Sequence, residues 1–146
     1  MSTRCQIGFY DKKEDKLQDF QSLIYRHSDG YPEGVLPDIT PFLKWWKNER
    51  GLSDCEYASA RLLQYMCNKY DKHSSDFNKR AGYELDKGLT GTLGYGICKN
   101  FHWDIEYFYK IYPNELQVYK VVTNYDDIVG PELDFEKWKV EKTIKL

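Results

Sequence analysis

The stretch Ile97-Cys98-Lys99-Asn100-Phe101-His102-Trp103-Asp104-Ile105-Glu106-Tyr107-Phe108-Tyr109-Lys110-Ile111-Tyr112 sorts its residues by parity. Phe101, Trp103, Ile105, Tyr107, Tyr109 and Ile111 fall on one side. Asn100, His102, Asp104, Glu106 and Lys110 fall on the other. Side chains of a strand point alternately to its two faces, so this pattern predicts one long, half-buried strand over 97–112. Pro113-Asn114-Glu115 then reads as a turn and Leu116 to Val122 as a return strand. The resulting hairpin is expected at the centre of a sheet, with Trp103 and Tyr107 on its buried face.

Moving outward from the hairpin, Cys5, Ile7 and Phe9 alternate with Arg4, Gln6 and Gly8, which predicts a short first strand. A charged run from Asp11 to Lys16 supplies a turn, and Phe20 to Tyr25 reads as a second strand paired antiparallel with the first. Ile39, Phe42, Leu43 and Trp46 recur at i, i+3, i+4 and i+7, which is one apolar face of a helix. Thr40 before Pro41 suits an N-cap followed by proline at the first helical position, and Gly51 suits the stop. A start near Pro37 or Asp38 is the alternative, at the cost of burying Pro41 deeper in the helix. Trp45 and Trp46 suit the core better than a ligand wall. Ser53-Asp54-Cys55-Glu56 has the spacing of a capping box, and Ala58, Leu62, Tyr65 and Met66 continue a second helix face that fades by Tyr70. Residues 71–94 lack sustained apolar periodicity and are expected to form a long loop containing at most a short helix. Asp126 to Glu136 reads as a surface crossing, followed by an edge strand or docked tail bearing Trp138, Val140 and Ile144.

This order of strands, helices and strands predicts an α+β fold, a mainly antiparallel sheet with a helix pair packed on one face. The 146 residues fit one globular domain, 1–146. A 41% hydrophobic and 16% aromatic composition opposes general disorder. The formal net charge of −2 gives no overall positive field for nucleic acid, so a nucleic-acid partner would need a local patch or stacking surface. No apolar run reaches the roughly 18 residues of a membrane span, and the first residues lack the apolar core of a secretory signal. A cytoplasmic protein is expected. Cys5, Cys55, Cys67 and Cys98 show no CxxC spacing and read as reduced thiols, with a Cys5–Cys98 bridge between strands as the alternative.

Polar chemistry concentrates at Tyr25-Arg26-His27-Ser28-Asp29-Gly30-Tyr31-Pro32-Glu33-Gly34. Asp29-Gly30 is a turn dipeptide in which glycine would take positive φ. His27 is a residue type that exchanges protons near neutral pH, Asp29 or Glu33 can orient it, and Arg26 can hold an anion. Arg26, His27, Asp29, Tyr31 and Glu33 are therefore the candidate binding residues. His27, Asp29, Glu33, His102 and Asp104 lack a metal-ligand spacing such as HxH or HExxH, so neither a metal centre nor a cofactor is expected. The glycines at 88, 91, 94 and 96 do not form a phosphate loop.

With this turn, the Ser2-Thr3-Arg4 start and the Asp104-Ile105-Glu106-Tyr107-Phe108-Tyr109 segment, the chain resembles a dispersed group of small uncharacterised proteins encoded by prokaryotes and their viruses. That resemblance carries no activity or catalytic residues, and it implies a mobile-element association. The expectation is a small binding or inhibitory protein that recognises a host protein or other macromolecule. The alternative is a small-ligand or nucleic-acid enzyme using His27 with Asp29 or Glu33.

Overall fold

In a computed structural model, which describes residues 2–80 and 94–146 and only the backbone of 70–80, the quoted stretch is two strands with an irregular segment between them. Strand β1 spans Cys5–Phe9, β2 Ser22–Arg26, β3 Tyr95–Ile97, β4 Tyr107–Tyr112, β5 Glu115–Lys120, β6 Thr123–Asp126, β7 Gly130–Leu133 and β8 Lys139–Lys145. Helices α1, Pro32–Glu49, and α2, Cys55–Arg80, lie between β2 and β3. Six strands form one sheet in the order β3-β2-β1-β4-β5-β8, with β6 and β7 as a separate hairpin. The β1–β4 pair is parallel and every other pair is antiparallel. The fold is α+β, as expected.

Two-sided burial is what the alternation hides. Cys5, Ile7, Phe9, Ile24, Tyr109, Ile111, Leu116 and Val118 meet α1 and α2 in one core. Phe108, Tyr112, Tyr10 and Leu23 point the other way, into a second core closed by Ile105, Val121 and Trp138. Lys110 shares that second face, where its Nζ donates to the carbonyls of Lys13 and Asp15 at 2.7 Å each. Burial holds its ammonium below the ordinary lysine value, against the opposing pull of Asp15. A charged residue in the strand thus marks a buried clamp on the 11–16 turn, not a wet face. Gly8 is needed on this side because a Cβ there would sit 2.6 Å from the Phe108 ring.

The expected strand over 97–112 breaks because side chains take the backbone groups a ladder would use. Gln6 Nε2 donates to Asn100 O at 3.1 Å, His102 N–H donates to Gln6 Oε1 at 2.9 Å, and Phe101 N–H donates to Asn100 Oδ1 at 2.8 Å. Trp103 consequently lies in a loop, 52% exposed and edge-on to Tyr125, which corrects its placement on the buried face. Tyr107 does pack toward the helices. The turn after β4 is a two-residue loop, Pro113-Asn114, with Asn114 at φ 77° as a type II turn requires.

Helix α1 begins at Pro32, not after Thr40, and contains Pro37 and Pro41 in its interior. An internal proline costs about 3 kcal/mol. The helix nevertheless buries Val35, Ile39, Phe42, Leu43 and Trp46, each worth about 1.5–3 kcal/mol, so burial outweighs the two prolines. Gly51 ends it as expected, at φ 84° with its N–H bonded to Trp46 O. The cap of α2 is Asp54, one residue later than the Ser53 expected, since its Oδ1 accepts the Tyr57 N–H at 3.2 Å. The helix then runs to Arg80, correcting the loop expected from residue 71. Extending an existing helix adds one hydrogen bond per residue fixed, which needs no apolar stripe. The remainder of that expected loop, 81–93, lies outside the described residues. Instead of a plain surface crossing, 126–136 holds the β6–β7 turn, β7 itself and the start of a short 3-10 turn, Phe135–Lys137. The tail after it is an edge strand, β8, with Trp138 buried beside it. Cys5 and Cys98 belong to the cores on opposite faces of the sheet, and both are free thiols.

Candidate functional site

The turn between β2 and α1 joins the sheet to the helices. Arg26, 1% exposed, donates through Nη1 to Asp38 Oδ2 at 2.8 Å and through Nε to Ser28 O at 2.8 Å. Asp38 also receives Lys69 Nζ at 2.9 Å, so its buried carboxylate is held by one cation from the strand and one from α2. Removing one member of such a buried pair strands the other charge and commonly costs about 3–5 kcal/mol. Arg26 therefore holds an internal carboxylate.

Positive φ falls on Asp29, at 54°, where Gly30 was expected to take it. Gly30 answers a different need. A Cβ there would lie 2.8 Å from Thr3 O, and its carbonyl accepts the Tyr109 hydroxyl at 2.7 Å. Asp29 Oδ1 accepts the Tyr31 hydroxyl at 3.1 Å, while Asp29, Tyr31 and Glu33 all face solvent. The imidazole Nδ1 of His27 lies 2.9 Å from the Tyr25 hydroxyl, and the His27 backbone N–H bonds Gly94 O. His102 packs against the Tyr25 ring with 4.7 Å between centroids. Burial raises the Tyr25 phenol above its ordinary value, helped by the Asp104 carboxylate. The structure thus brings His27 and His102 each against Tyr25. Among the described residues no three His, Cys, Asp or Glu side chains converge as a metal site would need.

A different concavity opens between the outer faces of α1 and α2. A cleft of about 640 Å³ is lined by Pro41, Phe42, Trp45, Trp46, Tyr57 and Tyr65, with Arg61, Gln64 and Asn68 along the α2 side. Phe42 stacks on Trp46 at 5.7 Å, Trp46 stacks on Tyr57 at 5.6 Å, and Tyr65 lies 5.2 Å from Phe42. Trp45 leans on Trp46 at 5.8 Å but stays 54% exposed, while Trp46 is 9% exposed. Both tryptophans line the cleft, Trp46 as part of the core beneath it and Trp45 as an exposed wall. The guanidinium of Arg50 sits 4.2 Å and that of Arg61 5.1 Å from the Tyr57 ring centre. Arg61 also donates to the Tyr57 hydroxyl at 3.0 Å and to Gln64 Oε1 at 2.9 Å. That bond to Arg61 draws the Tyr57 phenol below its ordinary value.

Sequence reasoning passed over this cleft. Its α2 wall, Tyr57, Arg61, Gln64, Tyr65 and Asn68, repeats at i, i+4, i+7, i+8 and i+11, displaced one residue from the core stripe of Ala58, Leu62 and Met66. That offset stripe, together with the Trp45-Trp46 doublet, is the signal that could have found it. Among the described residues no helix is long and apolar enough to cross a membrane. In comparisons with protein-family models, curated proteins and solved structures, none matches the chain.

Proposed function

We propose that this chain is a small binding or inhibitory protein that recognises a host macromolecule through the cleft between α1 and α2. The observation that carries this reading is the cleft itself, a preformed concave surface walled by aromatic rings with a few polar groups at one side. Aromatic and arginine side chains concentrate binding energy at interfaces because they offer large, rigid contact area with polar edges. An origin in a virus or mobile element draws support from the resemblance of the 25–34 turn, and a cytoplasmic setting fits a host target. In this reading Arg26 and His27 shape the scaffold, and the exposed Asp29, Tyr31 and Glu33 are a rival contact surface.

The test is capture from a prokaryotic host lysate, followed by titration of the captured macromolecule in purified form. Wild type is compared with Trp45→Ala/Tyr65→Ala and with Tyr31→Ala/Glu33→Gln. Affinity should fall at least tenfold for the first variant and stay within about twofold for the second. The reverse ranking moves the interface to the turn. A second reading, an enzyme for a small ligand or nucleic acid with His27 as its acid or base, draws on the Tyr25 hydroxyl beside His27 Nδ1. Turnover that survives His27→Ala removes it.

A further inference from the structure

We infer that the occupant of the cleft is an acidic segment of a partner protein, its apolar side chains seated against Trp45 and Tyr65 and its carboxylates on Arg50 and Arg61. This rests on the binding reading above and names the partner's chemistry. Charge complementarity carries it. Among the described residues Arg61 is the sole charged one on the cleft wall, and Arg50 lies over the ring of Tyr57, which also lines it. Neither guanidinium has a carboxylate partner among the described residues, whereas Arg26 and Lys69 are both committed to Asp38. The hydrogen-bond acceptors that Arg61 does use, the Tyr57 hydroxyl and the Gln64 amide oxygen, are neutral. Two cations resting on aromatic faces, with no salt bridge among the described residues, suit carboxylates, which guanidinium binds bidentately.

A single-stranded nucleic acid is the other polyanion that stacks on aromatic rings. Its affinity grows with the number of phosphates neutralised, and a cleft with two guanidiniums in a chain of net charge −2 offers few. Phe42 and Trp46 are already stacked and buried, so the rings left to an occupant are mainly Trp45 and Tyr65. Gln64 and Asn68 add neutral donors and acceptors suited to a peptide backbone.

The inference is tested by fluorescence anisotropy with three labelled probes. They are a designed peptide alternating glutamate with leucine and phenylalanine, the same peptide with lysine for glutamate, and an oligothymidine. The acidic peptide should bind at least tenfold more tightly than the lysine peptide, and the preference should shrink with added salt. Arg50→Gln/Arg61→Gln should remove that preference, and Trp45→Ala should weaken the acidic peptide at least tenfold, each at the wild-type thermal midpoint. Tighter binding of oligothymidine overturns the inference in favour of nucleic acid. Self-association in sedimentation that Trp45→Ala abolishes overturns it in favour of a second copy. Equal or absent binding of the two peptides overturns the acidic partner alone, because the binding reading fails only when lysate capture is indifferent to Trp45 and Tyr65.

Discussion

Cys5 lies on the helix-facing side of β1 with none of its surface exposed, beside the buried guanidinium of Arg26. Two opposing effects act on its thiol. Burial disfavours the thiolate and Arg26 favours it, and burial prevails, pushing the thiol up to about 12 from an ordinary 9.0. Below the unfolded value both states hold the proton and this contribution to stability is complete. As pH rises toward the folded value, the unfolded chain alone ionises, so stability falls. Tyr10 and Tyr109 shift in the same direction from a higher starting value, so the interval from about pH 8 to 9.5 mainly reports thiols. Across it Cys5 contributes a loss on the order of 1 kcal/mol. Urea unfolding should therefore show a smaller drop across this interval for Cys5→Ala than for wild type, with Cys55 and Cys98, both raised by burial, contributing to the residual slope. Equal drops would mean that the Cys5 thiol is not shielded from water. The same residue shows what a sequence can and cannot reveal. Alternation of Cys5, Ile7 and Phe9 identified a strand, but the burial of both its faces follows from the helices that cover one side of the sheet and the second core that covers the other.

At the scale of elements, the start of α2 separates two readings of one tetrapeptide. Ser53-Asp54-Cys55-Glu56 satisfies the spacing of a capping box, yet the side chain that receives a helix N–H belongs to Asp54. Ala58 N–H bonds the Asp54 carbonyl in turn, which fixes Asp54 as the residue before the first helical turn. Replacing an aspartate cap by alanine costs about 1 kcal/mol, and its charge also complements the helix dipole. Thermal unfolding should register that loss for Asp54→Ala, whereas Ser53→Ala should stay within about 0.5 kcal/mol of wild type. A larger effect at Ser53 would shift the helix start back by one residue. The cap reaches the candidate site directly, because the N–H it holds is that of Tyr57, whose side chain lines the cleft. Asp54→Ala should loosen this wall as well. Helix α1 carries the complementary lesson, since local preference places its start after Thr40, while burial of Val35 and Ile39 extends it back through Pro37 to Pro32.

For the whole molecule, the decisive feature is a sheet covered on both sides, by helices on one and by loops with Trp138 on the other. Phe108 sits fully buried in the second layer, touching Tyr10, Phe101 and Trp138 by ring contacts. Trp103, five residues earlier and of the opposite parity, is half exposed. Phe108→Ala should cost about 3–5 kcal/mol, a large part of the roughly 5–15 kcal/mol that holds a domain of this size. Trp103→Ala should cost well under half as much. Chemical denaturation of the two variants side by side checks the assignment, and a reversed order would mean that the second layer is not packed.

The sequence by itself determined the fold class, the β1–β2 and β4–β5 hairpins, the apolar faces of both helices and the glycine stop at Gly51. Each depends on contacts within one period of a strand or helix, or on a single residue's permitted φ, and such signals are local. Tertiary structure alone decided which faces are buried, because parity gives two sides of a strand and leaves open what covers them. It alone committed Arg26 to Asp38, twelve positions away, and left Arg50 and Arg61 without a carboxylate among the described residues. It also buried one of the adjacent tryptophans and exposed the other, since the approach of α2 to α1 packs Trp46 against Tyr57 and leaves Trp45 half exposed. A helix stripe states which residues can face a neighbour, and the position of that neighbour is set by packing summed over the whole chain.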